Sequence, residues 1–126
     1  MTAPTWINSA IGEFGRAAGI GNFALNARGA AAFRFETGAS LRIEYTGRDL
    51  VMAMTVPTVH DLKRLLAISH PKARLGLKVS TGVLPRTGEA VLAVRLAERD
   101  ATLPRLNAAF SLLWRLAGET GGRPWA

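Results

Sequence analysis

Two histidines, nine acidic residues and no cysteine make up most of the chain's capacity for acid–base or metal chemistry. His60 and His70 lie near opposite ends of one expected helix, so they cannot share a metal as an i, i+4 pair would. Both read as surface or cap histidines. The acids are scattered, with Asp49, Glu98 and Asp100 at expected turns or caps, and no pair is spaced for general acid–base work. H-E-x-x-H, G-x-S-x-G and G-K-S/T are absent. Gly19 to Ala24, "GIGNFA", begins like a dinucleotide fingerprint. It lacks the third glycine and runs from helix to strand, the reverse of what that motif needs. Without cysteine there are no disulfides, thiolate metal sites or thiol nucleophiles. The inventory lacks a nucleophile, base and electrophile held together, so the sequence does not read as an enzyme, and no cofactor is expected.

Charge carries more information. The 126 residues bear a net charge of +7, and the isoelectric point is near 11.3. Residues 1–58 hold 5 basic and 4 acidic groups, residues 59–126 hold 11 and 5. Such a surface attracts nucleic acid, anionic lipid or an acidic protein. The basic residues are spread singly, which also suits a plain solvated surface. Arg28 to Phe35, "RGAAAFRF", partly fits the signature of RNA-recognition domains. Two aromatic positions of that signature stack on bases, and here they are Ala30 and Ala32. Phe33 and Phe35 share an inward strand face and read as core. The N-terminal "MTAPTWINSA" lacks the basic and apolar regions of a signal peptide. No run approaches the roughly 18 apolar residues of a membrane span.

These residues must be positioned by a small set of elements. Pro4 stands near a helix start, and Ile7, Ala10, Ile11, Phe14 and Ala18 form one apolar stripe, ended by Gly19 and Gly21. Phe23 and Leu25 suggest a short strand, followed by a turn over Ala27 to Gly29. Phe33 and Phe35 then oppose Arg34 and Glu36. Leu41, Ile43 and Tyr45 alternate with Ser40, Arg42, Glu44 and Thr46 as a half-buried strand. In the next strand Leu50, Met52, Met54 and Val56 share one face, and Val51, Ala53 and Thr55 the other. Being apolar on both sides, it is central or is covered on its second face. Thr58 and Asp61 form a weak capping box for a helix over Val59–His70, stopped by Pro71. A strand with Leu75, Leu77 and Val79 inward, a loop from Gly82 to Glu89, and a strand with Leu92, Val94 and Leu96 inward follow. Asp100 or Thr102 caps a last helix, with Pro104 in its first turn and Leu103, Leu106, Phe110, Leu113 and Ala117 as its stripe.

The expected architecture is thus an α+β sandwich in the order α-β-β-β(-β)-α-β-β-α, with a largely antiparallel sheet. Residues 1–118 are expected to form a single domain and residues 119–126 a flexible C-terminal tail.

Read whole, the chain resembles the class I type III secretion chaperones, the CesT-like (Tir chaperone) family. The likeness spans roughly residues 4 to 117. It lies in "FGRAAGIGNFALNARGAAAFRFETGASLRIEY", "LVMAMTV", "LLAISH" and "GEAVLAVRLAERDATLPRLNAAFSLLWRL". Order, spacing and total length carry it; no single motif is diagnostic.

The resemblance implies a cytoplasmic bacterial protein, linked to virulence, that binds the N-terminal segment of a secreted effector or gatekeeper protein and keeps it secretion-competent. It implies a dimer built on the middle helix and the strand after it, which puts Leu65, Ile68, Leu75, Leu77 and Val79 at the interface as well as in the core. It implies a client in extended form, adding strands to sheet edges and laying apolar side chains into grooves. Trp6, Val51, Ala53 and Trp114 are the expected client-side residues. One departure stands out: members of this family are usually acidic, and this chain is strongly basic. An acidic sister chaperone in a heterodimer, in place of a homodimer, accounts for that, as does an acidic client. The competing classes are a basic nucleic-acid-binding α+β domain and a structural adaptor of the secretion apparatus.

Overall fold

A computed structural model describes residues 3–21, 23–57 and 77–121, the last three for their backbone only. Helix α1 (Thr5–Ala17) starts behind Pro4, whose carbonyl accepts the Ile7 and Asn8 N–H groups at 3.1 and 3.2 Å. Proline suits this place because its ring fixes φ and no N–H is lost from the helix. The helix stops at Gly19, which takes φ +77°. Beyond it the Ile20 N–H closes on the Gly15 carbonyl at 2.8 Å. Ile7, Ile11 and Phe14 are fully buried along the expected stripe.

The expected short strand around Phe23 and Leu25 is absent; residues 23–26 are irregular. Asn26 explains why. Its Oδ1 accepts the Arg28 and Ala30 N–H groups at 2.8 and 3.1 Å, and its own N–H donates to the Ala30 carbonyl at 2.8 Å. The side chain competes with a ladder and makes a turn in its place.

Five strands follow: β1 (Ala30–Arg34), β2 (Ser40–Tyr45), β3 (Asp49–Val56), β4 (Val79–Val83) and β5 (Ala90–Ala97). They form one antiparallel sheet in the order β1-β2-β3-β5-β4. The expected strand over Ala73–Thr81 falls partly outside the described residues; its described part, β4, runs on past Thr81 into the expected loop. Val83 pairs opposite Ala90, and the Leu84 N–H donates to the Glu89 carbonyl at 2.8 Å, so the hairpin is tighter. Helix α2 (Leu103–Gly121) packs on β3, β5 and α1. It runs through Gly118 where a stop was expected. An interior glycine costs about 1 kcal/mol, and the neighbouring Leu116 and Ala117, both buried, offset it.

The core lies between these helices and one sheet face: Leu41, Ile43, Leu50, Met52, Met54, Val56, Leu92 and Val94 are all fully buried. The expected middle helix, its capping box with Thr58, both histidines and the residues after Gly121 lie outside the described residues. Among the described residues, no helix is long and apolar enough to cross a membrane.

Candidate functional site

The alternate residues of the same strands make the second sheet face, which neither α1 nor α2 covers. Its centre is apolar. Val51 lies between Glu44 and Arg95, Ala53 between Arg42 and Ala93, and Thr55 between Ser40 and Val91. Val51, Ala53, Thr55, Val91 and Ala93 are each half-buried. Charged pairs rim this strip. Arg95 Nη1 meets Asp49 Oδ2 at 2.7 Å, and Arg42 Nε meets Glu44 Oε2 at 3.6 Å. Both pairs are largely exposed at their arginines and hold little energy by themselves.

Toward β4 this face deepens into a cavity of about 350 Å³ lined by Ser80, Thr81, Gly82, Val83, Leu84, Val91 and Ala93. The room arises because Gly82 has no side chain and Ala93 a short one. Val83 and Leu84 are 43% and 42% exposed. Sequence reasoning placed them in a loop and missed them; an apolar pair directly before Pro85 was the available signal.

A second apolar site sits at the opposite sheet edge, on the helix-covered side. Phe33 and Phe35 stack edge-on with centroids 5.0 Å apart, Phe35 meets Trp114 at 5.1 Å, and Trp114 meets Phe110 at 5.8 Å. Phe110 continues inward to Phe14 at 5.4 Å, which in turn meets Phe23 at 6.3 Å. Phe14 and Phe23 are buried, whereas Phe33, Phe35, Phe110 and Trp114 are only half-buried. The aromatic chain therefore runs from the core out to the β1 edge. Edge-on packing of this kind adds roughly 0.5–1.5 kcal/mol per pair beyond area burial. Phe33, Phe35 and Phe110 read as core from periodicity, so their exposed side was not visible there.

The four residues expected to meet a client fall in three places. Val51 and Ala53 are together on the open face, Trp114 is in the aromatic cluster on the other side of the sheet, and Trp6 is 46% exposed on α1. Of the expected dimer residues, Leu77 and Val79 are buried in the protomer's own core. Leu65, Ile68 and Leu75 lie outside the described residues.

The Tyr45 hydroxyl donates to Glu98 Oε1, tying β2 to the turn before α2. That hydrogen bond, with burial and the carboxylate's charge, raises the phenol above its usual range. Among the described residues, no group of three or more His, Cys, Asp or Glu side chains could hold a metal ion.

A family model described as type III secretory system chaperone SycN matches residues 6–120. No curated protein matches the sequence. Among solved structures, the chain is similar to the Yersinia pestis type III secretion chaperone SycH in complex with a stable fragment of YscM2. That match has a TM-score of 0.68 and 16% identity, and covers 90% of this chain and 98% of that one. It is also similar to the ExsC–ExsE complex, with a TM-score of 0.70, 17% identity and coverage of 93% and 92%. A third likeness is to the HopA1–SchA chaperone–effector complex, with a TM-score of 0.71, 14% identity and 94% coverage of both chains. At such identities the structures speak for the fold. The sheet order, the two helices on one face and the family match over nearly the whole length agree, and the chain belongs to the SycN family of type III secretion chaperones.

Proposed function

We propose that this chaperone holds an extended N-terminal segment of a secreted effector or gatekeeper protein in the bacterial cytosol and keeps it secretion-competent. One observation carries the reading. The sheet has a complete core on one face, yet Val51, Ala53, Thr55, Val91 and Ala93 leave an apolar strip half-buried on the other. An apolar strip of that kind, with β1 and β4 as the outer strands among the described residues, suits a polypeptide that contributes alternate side chains and backbone hydrogen bonds. Such a segment orders only on binding, so it stays unfolded enough for export. The structural neighbours include chaperones solved with an effector or a protein fragment, which supports the same use here.

The same reading makes the molecule half of a dimer. The family resemblance puts the interface on Val59–His70 and Ala73–Thr81. The exposed Val83 and Leu84 beside the 350 Å³ cavity extend an apolar surface on that side of the sheet. A net charge of +7 favours an acidic sister chain or an acidic client.

Affinity capture from the native cytosol followed by mass spectrometry tests this. The expected result is a secreted protein retained through about 0.5 M salt, where surface charges are screened within a few ångströms. Recovery of nucleic acid alone, lost steeply with salt, would replace the reading with a phosphate-binding one. Size-exclusion chromatography with light scattering tests the dimer: a monomer at micromolar concentration, alone and with every neighbouring small secretion protein, removes it.

A further inference from the structure

The β1 edge carries a more specific message about its partner. Strand residues point their N–H and C=O groups alternately to the two sides. The Phe35 N–H donates to the Ala39 carbonyl at 2.8 Å, so Phe35, and with it Phe33 and Ala31, aims at β2. Ala30, Ala32 and Arg34 then aim away from the sheet. Ala30 agrees: its N–H and C=O are both taken by Asn26, at 3.1 and 2.8 Å. Asn26 thus closes the edge at its start. Among the described residues β1 ends the sheet order, so Ala32 and Arg34 face no further described strand on that side.

A strand laid there would alternate its side chains between two unlike surroundings. On the helix-covered side it meets the half-buried Phe33 and Phe35, backed by Trp114 and Phe110. On the open side it meets Ala32 and Arg34, both exposed. Arg42, ion-paired to Glu44, stands one strand behind Ala32. Glu36 follows Arg34 in the turn as the one nearby acid on β1's own flank. Cross-strand neighbours of opposite charge attract, and those of like charge repel.

We infer that the β1 edge of this protein selects an extended segment in which acidic residues alternate with apolar ones, the apolar set entering the aromatic cluster and an acidic side chain lying beside Arg34. This rests on the chaperone reading for there being such a client; the charge pattern it assigns goes beyond that reading and gives the chain's basic character a place to act.

The test uses the full chain and short synthetic peptides that alternate aspartate, or lysine, with valine and leucine, followed by fluorescence polarisation. The aspartate peptide is expected to bind and the lysine peptide to bind at least several-fold more weakly. Arg34→Glu should weaken the aspartate peptide about fivefold and tighten the lysine peptide. Ala32→Pro, which removes an outward N–H and leaves the β2 ladder intact, should abolish both. Equal binding of the two peptides, no binding of either, or indifference to both substitutions overturns the inference. Capture of the native secreted partner separates the two levels. Undiminished capture by Arg34→Glu and Ala32→Pro refutes the β1 assignment and leaves the chaperone intact. Capture of no secreted protein by the unaltered chain removes the chaperone reading itself.

Discussion

The two faces of the sheet are built from alternate residues of the same strands, yet they do opposite things. On β3, Leu50, Met52, Met54 and Val56 are fully buried beneath the helices, while Val51, Ala53 and Thr55, one residue out of phase, stay half-buried. On β5 the same division separates Leu92 and Val94 from Val91 and Ala93. The packed face uses large side chains that fill volume. The open face uses small or β-branched ones that keep the surface flat and leave room for another chain. A period of two lets one strand hold a fold together and offer a surface at once.

Deep truncation of the packed face gives the largest expected effect. Met52→Ala, at a fully buried position, should cost about 2–5 kcal/mol through lost transfer energy and a residual cavity. Urea unfolding measures it. A loss below 1 kcal/mol would mean the packed face is not the sealed one.

The cover over that face is next. A Cβ added at Gly15 would lie 2.6 Å from the Phe23 Cβ and 3.3 Å from the Gly21 carbonyl. Gly15→Ala should therefore push α1 off the segment that Phe23 anchors, at about 1–3 kcal/mol. Thermal melts report it, and an unchanged midpoint would show that the segment gives way freely.

Val51→Asp probes the open face. Its stability cost should be about 1 kcal/mol, the scale of strand propensity, because the new carboxylate sits between Glu44 and Arg95 and their effects oppose. Capture of the secreted client should fall several-fold while the oligomeric state holds. Collapse of the fold would erase the distinction between the faces at this position.

The smallest effect lies where the packed face reaches its margin. Tyr45 ends that face, and its hydroxyl donates to Glu98. A phenol raised in the folded state stabilises the fold fully below its unfolded value near 10, and the contribution fades as pH climbs through the folded value. Tyr45→Phe should thus lower the melting temperature slightly at neutral pH, with the gap to the unaltered protein narrowing in strongly alkaline buffer. A gap independent of pH would assign the loss to packing.

Much of this was legible in the chain. The phases of β2, β3 and β5 follow directly from alternation, because apolar residues spaced by two can be buried only on one side. Helix α1 buries the expected Ile7, Ile11 and Phe14, whereas the buried side of α2 is shifted: Leu106, Leu113 and Ala117 are buried as expected, but Ala109, Leu112 and Leu116 join them, and Leu103 and Phe110 are only half-buried. The failures share a cause: a local signal overruled by a partner distant in sequence or by side-chain chemistry. Phe23 and Leu25 alternate like a strand, but Asn26 takes the Ala30 backbone groups and no ladder forms there. Val83 falls in the expected loop from Gly82 to Glu89, but pairing with Ala90 extends β4 through it.

What the sequence by itself determined is the division of each strand into an apolar and a mixed side, the helix stripes and the lack of a reactive constellation. All are properties of residue type and spacing. Tertiary structure alone decided that β5 returns between β3 and β4, that both described helices cover one face and leave Val51 and Ala53 half-buried, and that Phe33 and Phe35 meet Trp114 beside the β1 edge. Those outcomes depend on which elements far apart in the chain come to lie together, and periodicity along one segment carries no record of that.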